Sequence, residues 1–81
     1  MEVNAAQIRA ARAGLNWSQD QLASRAGTVR KTINRIEAET TTPHAATLAA
    51  IVDALEAAGV VFIEQPGGVG VLFSRPVQAG Q

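Results

Sequence analysis

Cysteine is absent from the 81 residues, so neither a disulfide framework nor a thiolate metal site can form. Tyrosine is absent too, and the aromatics are only Trp17, Phe62 and Phe73, too few to make a stacking platform for single-stranded nucleic acid. The one histidine, His44, has no companion ligands for a metal. Ser18, Ser24 and Ser74 have no base that would complete a catalytic triad, and Asp53 and Glu56 read as the polar face of a helix. The longest apolar run, Ala57 to Ile63, is interrupted by Gly59 and falls far short of the roughly 20 residues of a membrane span. Met-Glu-Val-Asn at the start lacks the basic-then-apolar layout of a signal peptide. These absences lead to the expectation of a cytoplasmic chain that is not an enzyme, with no cofactor, no metal and no membrane partner.

Net charge is also missing: 7 basic side chains balance 7 acidic ones. The balance hides a division. Between Arg9 and Arg35 there are six cations and one anion, Asp20, while the segment from Ile36 onward carries five carboxylates against Arg75. One third of the chain is therefore basic and the rest acidic. That asymmetry prompts a search for an anionic partner, against the plainer reading of a solvated, salt-bridged face.

What is present is alanine. It accounts for 16 of the 38 hydrophobic residues, leaving 22 side chains large enough to build a core. Alanine favours helix and adds little burial, so the composition implies closely packed helices that are short of core volume. Asn4 with Gln7, and Ser18 with Gln21, have the spacing of capping boxes and open two helices. The first carries Ile8, Ala11 and Leu15 on one stripe and runs to the neighbourhood of Gly14. The second turns Leu22, Ala23 and Ala26 inward and stops at Gly27. A third helix is expected over Val29–Ala38, with Ile33 and Ile36 inward. A fourth has Thr42 as cap, Pro43 and His44 in its first turn, and an apolar face of Leu48, Ile51, Val52 and Leu55. Trp17, just before the Ser18 cap, reads as a hydrophobic staple.

After Gly59 the period changes from helical to alternating. Val60-Val61-Phe62-Ile63 and Val69 to Phe73 read as strands about a Gln65-Pro66-Gly67-Gly68 turn. The Gly67–Gly70 cluster has neither the following helix nor the lysine of a phosphate loop. Nine of the 22 large apolar side chains lie beyond Ala58. A lone hairpin is marginal and leaves open edges, so Val60, Val61, Phe62, Ile63, Val69, Val71, Leu72 and Phe73 are expected to form a dimer interface with a second copy. The alternative is a hairpin folded back on its own helices. Two segments follow: a helical domain over 1–59 and a dimerisation segment over 60–81 with a flexible end.

Ser18 to Glu37, SQDQLASRAGTVRKTINRIE, has the form of a helix, a glycine-containing turn and a second helix. With Ile33 and Ile36 inward, Arg30, Lys31, Asn34 and Arg35 fall on the outward side of the second helix. Together with IRAARAGLNWSQDQLASRAG and TLAAIVDAL, this run resembles the lambda-repressor-like, or XRE-type, helix-turn-helix family over Ile8 to Leu55. The resemblance implies a mainly α fold, a four-helix domain followed here by a short C-terminal β-hairpin. It further implies a transcription factor that binds operator DNA as a dimer; the chain is accordingly expected to be a homodimeric regulator and, with promoter occlusion as its mechanism, a repressor. By the same resemblance, Arg30, Lys31 and Asn34 reach base edges, Arg35 at the rear of that face meets a base or a phosphate, and Gln19 meets the backbone and outer bases. Arg12 and Glu37 correspond to a structural ion pair between helices. Val29 departs from the family in replacing a polar cap, and Glu39 and Thr40 stand where a glycine often closes the recognition helix. Chemistry supports the base-reading set, since Arg and Lys donate to guanine and Asn pairs with adenine. Ser18, Thr28, Thr32 and Thr41 offer hydroxyls to phosphate oxygens. Blocking a promoter is the simplest mechanism for so short a chain. An alternative is an antitoxin-like module whose C-terminal strands cover a partner protein while the helices regulate its own promoter.

Overall fold

The computed structural model describes residues 2–74 and contains four helices followed by one antiparallel strand pair. The flexible end expected for the 60–81 segment lies outside the described residues. Helix α1 spans Ala5–Gly14. Its Asn4 side chain accepts from the Gln7 amide at 2.9 Å while Gln7 Oε1 accepts from the Asn4 amide at 3.0 Å. Helix α2, Gln19–Ala26, repeats the device with Ser18 and Gln21 at 3.0 and 2.7 Å. Helix α3 is Arg30–Glu37, with Val29 as an extended N-cap that supplies no side-chain bond.

Each helix ends through a residue with positive φ: Asn16 (60°), Gly27 (72°), Glu39 (59°) and Gly59 (104°). After α3 the amides of Glu39 and Thr40 donate to the carbonyls of Ile36 and Arg35, the bond pattern of a Schellman motif. Glu39 therefore occupies the position that glycine takes at lower cost.

Helix α4 spans Ala45–Ala57 and starts later than the sequence suggests. His44, not Thr42, is its N-cap: its backbone is extended (φ −64°, ψ 146°), and the first helical bond runs from the Leu48 amide to the His44 carbonyl. Pro43 consequently belongs to the incoming loop, and Thr42 caps nothing.

Strands β1 (Val60–Gln65) and β2 (Gly68–Phe73) pair with each other across the Pro66–Gly67 turn. The register places Val60 opposite Phe73 and Phe62 opposite Val71. These four side chains share the face turned toward the helices, with β2 against α1 and β1 against α4. Val60 and Phe62 join Ile8, Leu22, Ile33, Ile36, Ile51 and Leu55 in one buried cluster, and Val71 packs on its margin. The expectation for the strands changes accordingly. They form a hairpin within the chain, folded onto its own helices. Val60 and Phe62 are core residues and not surface available to a second copy. On the opposite face Val61 and Leu72 stand exposed, with Ile63 half-buried.

Two long-range contacts fix the hairpin. Gln7, buried in α1, donates from Nε2 to the carbonyls of Gly70 (2.9 Å) and Ile63 (3.2 Å), so one side chain caps a helix and clasps both strands. Gly14 lies under the Phe73 ring, where a Cβ would sit 2.1 Å from Cζ. That glycine makes room for an aromatic 59 positions away.

Candidate nucleic-acid interface

Helix α3 divides into two faces. Ile33, Ile36 and Glu37 are buried, whereas Arg30, Lys31, Asn34 and Arg35 are exposed on the other side. No large apolar side chain interrupts this outward set. It is a strongly amphipathic eight-residue helix whose free face is cationic. Arg30 approaches Asp20 of α2 at 4.0 Å, with both side chains largely exposed. A contact of that kind stabilises weakly and leaves the guanidinium available.

The helix is held from behind by a polar cluster. Glu37, whose side chain is only 5% exposed, accepts from Arg12 Nε at 2.7 Å and from Arg12 Nη2 at 3.0 Å. Gln19 Nε2 donates to the same carboxylate at 3.1 Å, and Arg12 Nη1 donates to the Trp17 carbonyl at 2.8 Å. One carboxylate thus ties α1, the start of α2 and the end of α3 together. The hydrogen bond from Arg12 to Glu37 raises the Arg12 pKa above its ordinary value, outweighing the opposing effect of burial. Asn34 Nδ2 reaches Gln19 Oε1 at 3.5 Å, a long contact that connects the cluster to the outward face.

This cluster sharpens the charge reading. Arg12 is consumed by Glu37. Arg9 donates to the Glu37 carbonyl at the end of α3 and lies 3.8 Å from Glu39. Arg25 stacks over the Trp17 ring at 4.4 Å from its centroid, and Trp17 is half-buried and packs on the core margin. Of the six cations between Arg9 and Arg35, the three on the outward side of α3 are Arg30, Lys31 and Arg35.

The hydroxyl candidates separate in the same way. Ser18 is exposed but its oxygen is already the α2 cap, and Thr28 is half-buried in the turn with its amide bonded to the Ala23 carbonyl. Thr32 and Thr41 line one cleft of about 210 Å³ with Arg35, Thr42, His44 and Thr47. The sequence did not single out His44 or Thr47 for that place. The signal was weak because the cleft forms only when the α3–α4 loop folds over the end of α3. Two larger grooves, of about 470 and 520 Å³, lie between the N-terminal segment and α4. Glu2, Glu39 and Asp53 line them, the wrong sign of charge for DNA. Among the described residues no cluster of three or more His, Asp or Glu could hold a metal, and no helix is long and apolar enough to cross a membrane.

The sequence profile of the helix-turn-helix family matches residues 8–58. A search of curated proteins finds no match to the chain. The matched segment runs from Ile8 in α1 to Ala58 at the end of α4 and stops before the hairpin. It contains the short α2, the Gly27 turn and the α3 helix with its cationic outer face. The chain belongs to the lambda-repressor-like (XRE-type) helix-turn-helix family of DNA-binding domains.

Proposed function

We propose that the chain is a sequence-specific repressor that binds an inverted-repeat operator as a homodimer, with α3 in the major groove. The observation that carries this reading is the outward face of α3, where Arg30, Lys31, Asn34 and Arg35 stand exposed on a helix whose back is anchored by Ile33, Ile36 and Glu37. In this reading Arg30 and Lys31 donate to guanine O6 and N7, and Asn34 pairs with adenine, oriented by Gln19. Arg35 sits at the rear of the face beside the threonine-lined cleft, where base edge and backbone are both within its length. Thr32 and Thr41 meet phosphate oxygens from that cleft, while Ser18, Thr28 and Gln19 flank the groove at the other end of the motif. Repression follows from occupancy, since a bound dimer blocks the promoter beneath it.

The second copy joins through the hairpin. Val61, Ile63 and Leu72 form its apolar outer face, and each strand has one neighbour and one open edge. The same face supports a second reading, an antitoxin-like module that covers a partner protein and represses its own promoter. The two readings separate in solution: the first gives a dimer of the chain alone, the second a monomer that gains mass only with its partner.

The base-reading role is tested by Arg30→Ala and Thr41→Ala on operator and random duplexes. Arg30→Ala is expected to lose about 1–3 kcal/mol on the operator and much less on random DNA. Thr41→Ala should weaken both about equally. Equal losses on both duplexes for Arg30→Ala would remove it from base reading.

A further inference from the structure

Among the described residues, the exposed large apolar side chains are Val29, Val61, Val69, Leu72 and Phe73. Four of them belong to the hairpin. Val29 stands apart and is the most exposed, at 62%. It is the N-cap of α3, an extended residue (φ −119°, ψ 157°) whose side chain makes no capping bond. The corresponding residues of α1 and α2 are Asn4 and Ser18, and both close capping boxes. Valine is among the poorest residues for this position. Here it serves neither the helix it opens nor the core it leaves.

Its position suggests what it does serve. Val29 precedes Arg30 at the tip of the recognition helix, and the N-terminal residues of such a helix are the ones that meet base edges. The apolar feature a major groove displays is the C5-methyl group of thymine. Resting on the reading of α3 as a base-reading helix, we propose that Val29 is a specificity residue. Its γ-methyl groups pack against the C5-methyl of a thymine beside the base pair read by Arg30. A polar cap has been given up for an apolar base contact, so stability and sequence preference are set against each other at one residue.

The test uses the full chain and the operator that it selects, with each thymine replaced in turn by deoxyuridine. Deoxyuridine keeps the O4 acceptor and the pairing edge and lacks only the methyl group. At one thymine in each half-site the wild-type chain should bind about fourfold more weakly after replacement, the ratio that one buried methyl of about 0.8 kcal/mol gives. Val29→Ser should bind the two duplexes alike at that position. Its Tm should rise by about 4–8 °C, because serine restores the missing cap. Val29→Thr, which caps and keeps one methyl, should retain part of the thymine preference. The proposal is overturned if wild type is indifferent at every thymine, or if Val29→Ser keeps the wild-type ratio. A chain that selects no duplex over random DNA would overturn the repressor reading together with this one. Selection that persists without any methyl effect would overturn this one alone.

Discussion

Replacing Glu37 by leucine removes the carboxylate that joins three helices, and its cost can be worked from the geometry. The carboxylate accepts two bonds from Arg12 and one from Gln19, and its side chain is 5% exposed. Breaking a buried pair by removing one partner costs about 3–5 kcal/mol, mostly because the remaining charge is stranded. The Arg12 side chain keeps 21% exposure, so water reaches the orphaned guanidinium and the expected cost lies at the lower end, about 3 kcal/mol. A chain of 81 residues at roughly 0.05–0.15 kcal/mol per residue has about 4–12 kcal/mol in total, so this is a large share. Urea unfolding followed by Trp17 fluorescence reads the loss directly, since the Trp17 carbonyl accepts from Arg12 and Arg25 covers the ring. Arg12→Met alone should cost more, toward about 5 kcal/mol, because the carboxylate it strands is only 5% exposed and keeps only the Gln19 bond. The double variant Arg12→Met/Glu37→Leu should recover to within about 1 kcal/mol of wild type, because two apolar side chains replace two desolvated charges. A raised cation loses its contribution only as pH climbs through its own pKa, so the Arg12 half of the pair is insensitive to pH across the neutral range. A single-variant loss below about 1 kcal/mol would refute the reasoning, as would a double variant that loses the sum of the two.

Other consequences can be checked by the same means. Gly14→Ala should displace the Phe73 ring, which its Cβ overlaps. The net loss in urea titration should be no more than about 1 kcal/mol, because Phe73 is 43% exposed and alanine favours helix, and Phe73→Leu in the same chain should return part of it. Gln7→Leu removes the clasp on the Ile63 and Gly70 carbonyls together with half of the α1 capping box. It should cost about 1–3 kcal/mol and speed amide exchange in β1 and β2 more than in α3. Val61→Lys/Leu72→Lys should convert the proposed dimer to a monomer by light scattering with the helical content unchanged, because both side chains lie outside the core. A dimer that survives this change would place the interface elsewhere.

The parts of the fold legible in the sequence are those encoded within a few residues. Asn4 with Gln7, Ser18 with Gln21, and Gly27 declare helix ends because capping is a contact between near neighbours. Alternation after Gly59 declares strands for the same reason. The amphipathic face of α3 could be read because Ile33 and Ile36 fix which side turns inward. What could not be read depends on distant chain segments meeting. Gly14 looks like a helix stop, and its reason is the ring of Phe73. Arg9 looks like one more free cation, yet it is spent on the end of α3 at Glu37 and Glu39. Gln7 announces its cap and gives no sign of its grip on the hairpin. Pro43 invited a helix start at Thr42, but the extended backbone at His44 delays it. The apolar strands signalled a surface to be covered, and their composition could not say that Val60 and Phe62 cover their own helices while Val61 and Leu72 face away.

The most direct test of the account is selection of bound duplexes from a genomic pool, repeated at about 50 and 200 mM salt. A homodimer reading DNA through α3 should recover one inverted repeat, with half-site centres about 34–36 Å apart, whose affinity falls by orders of magnitude between the two conditions. Recovery of no common sequence, or of binding that ignores salt, would contradict it.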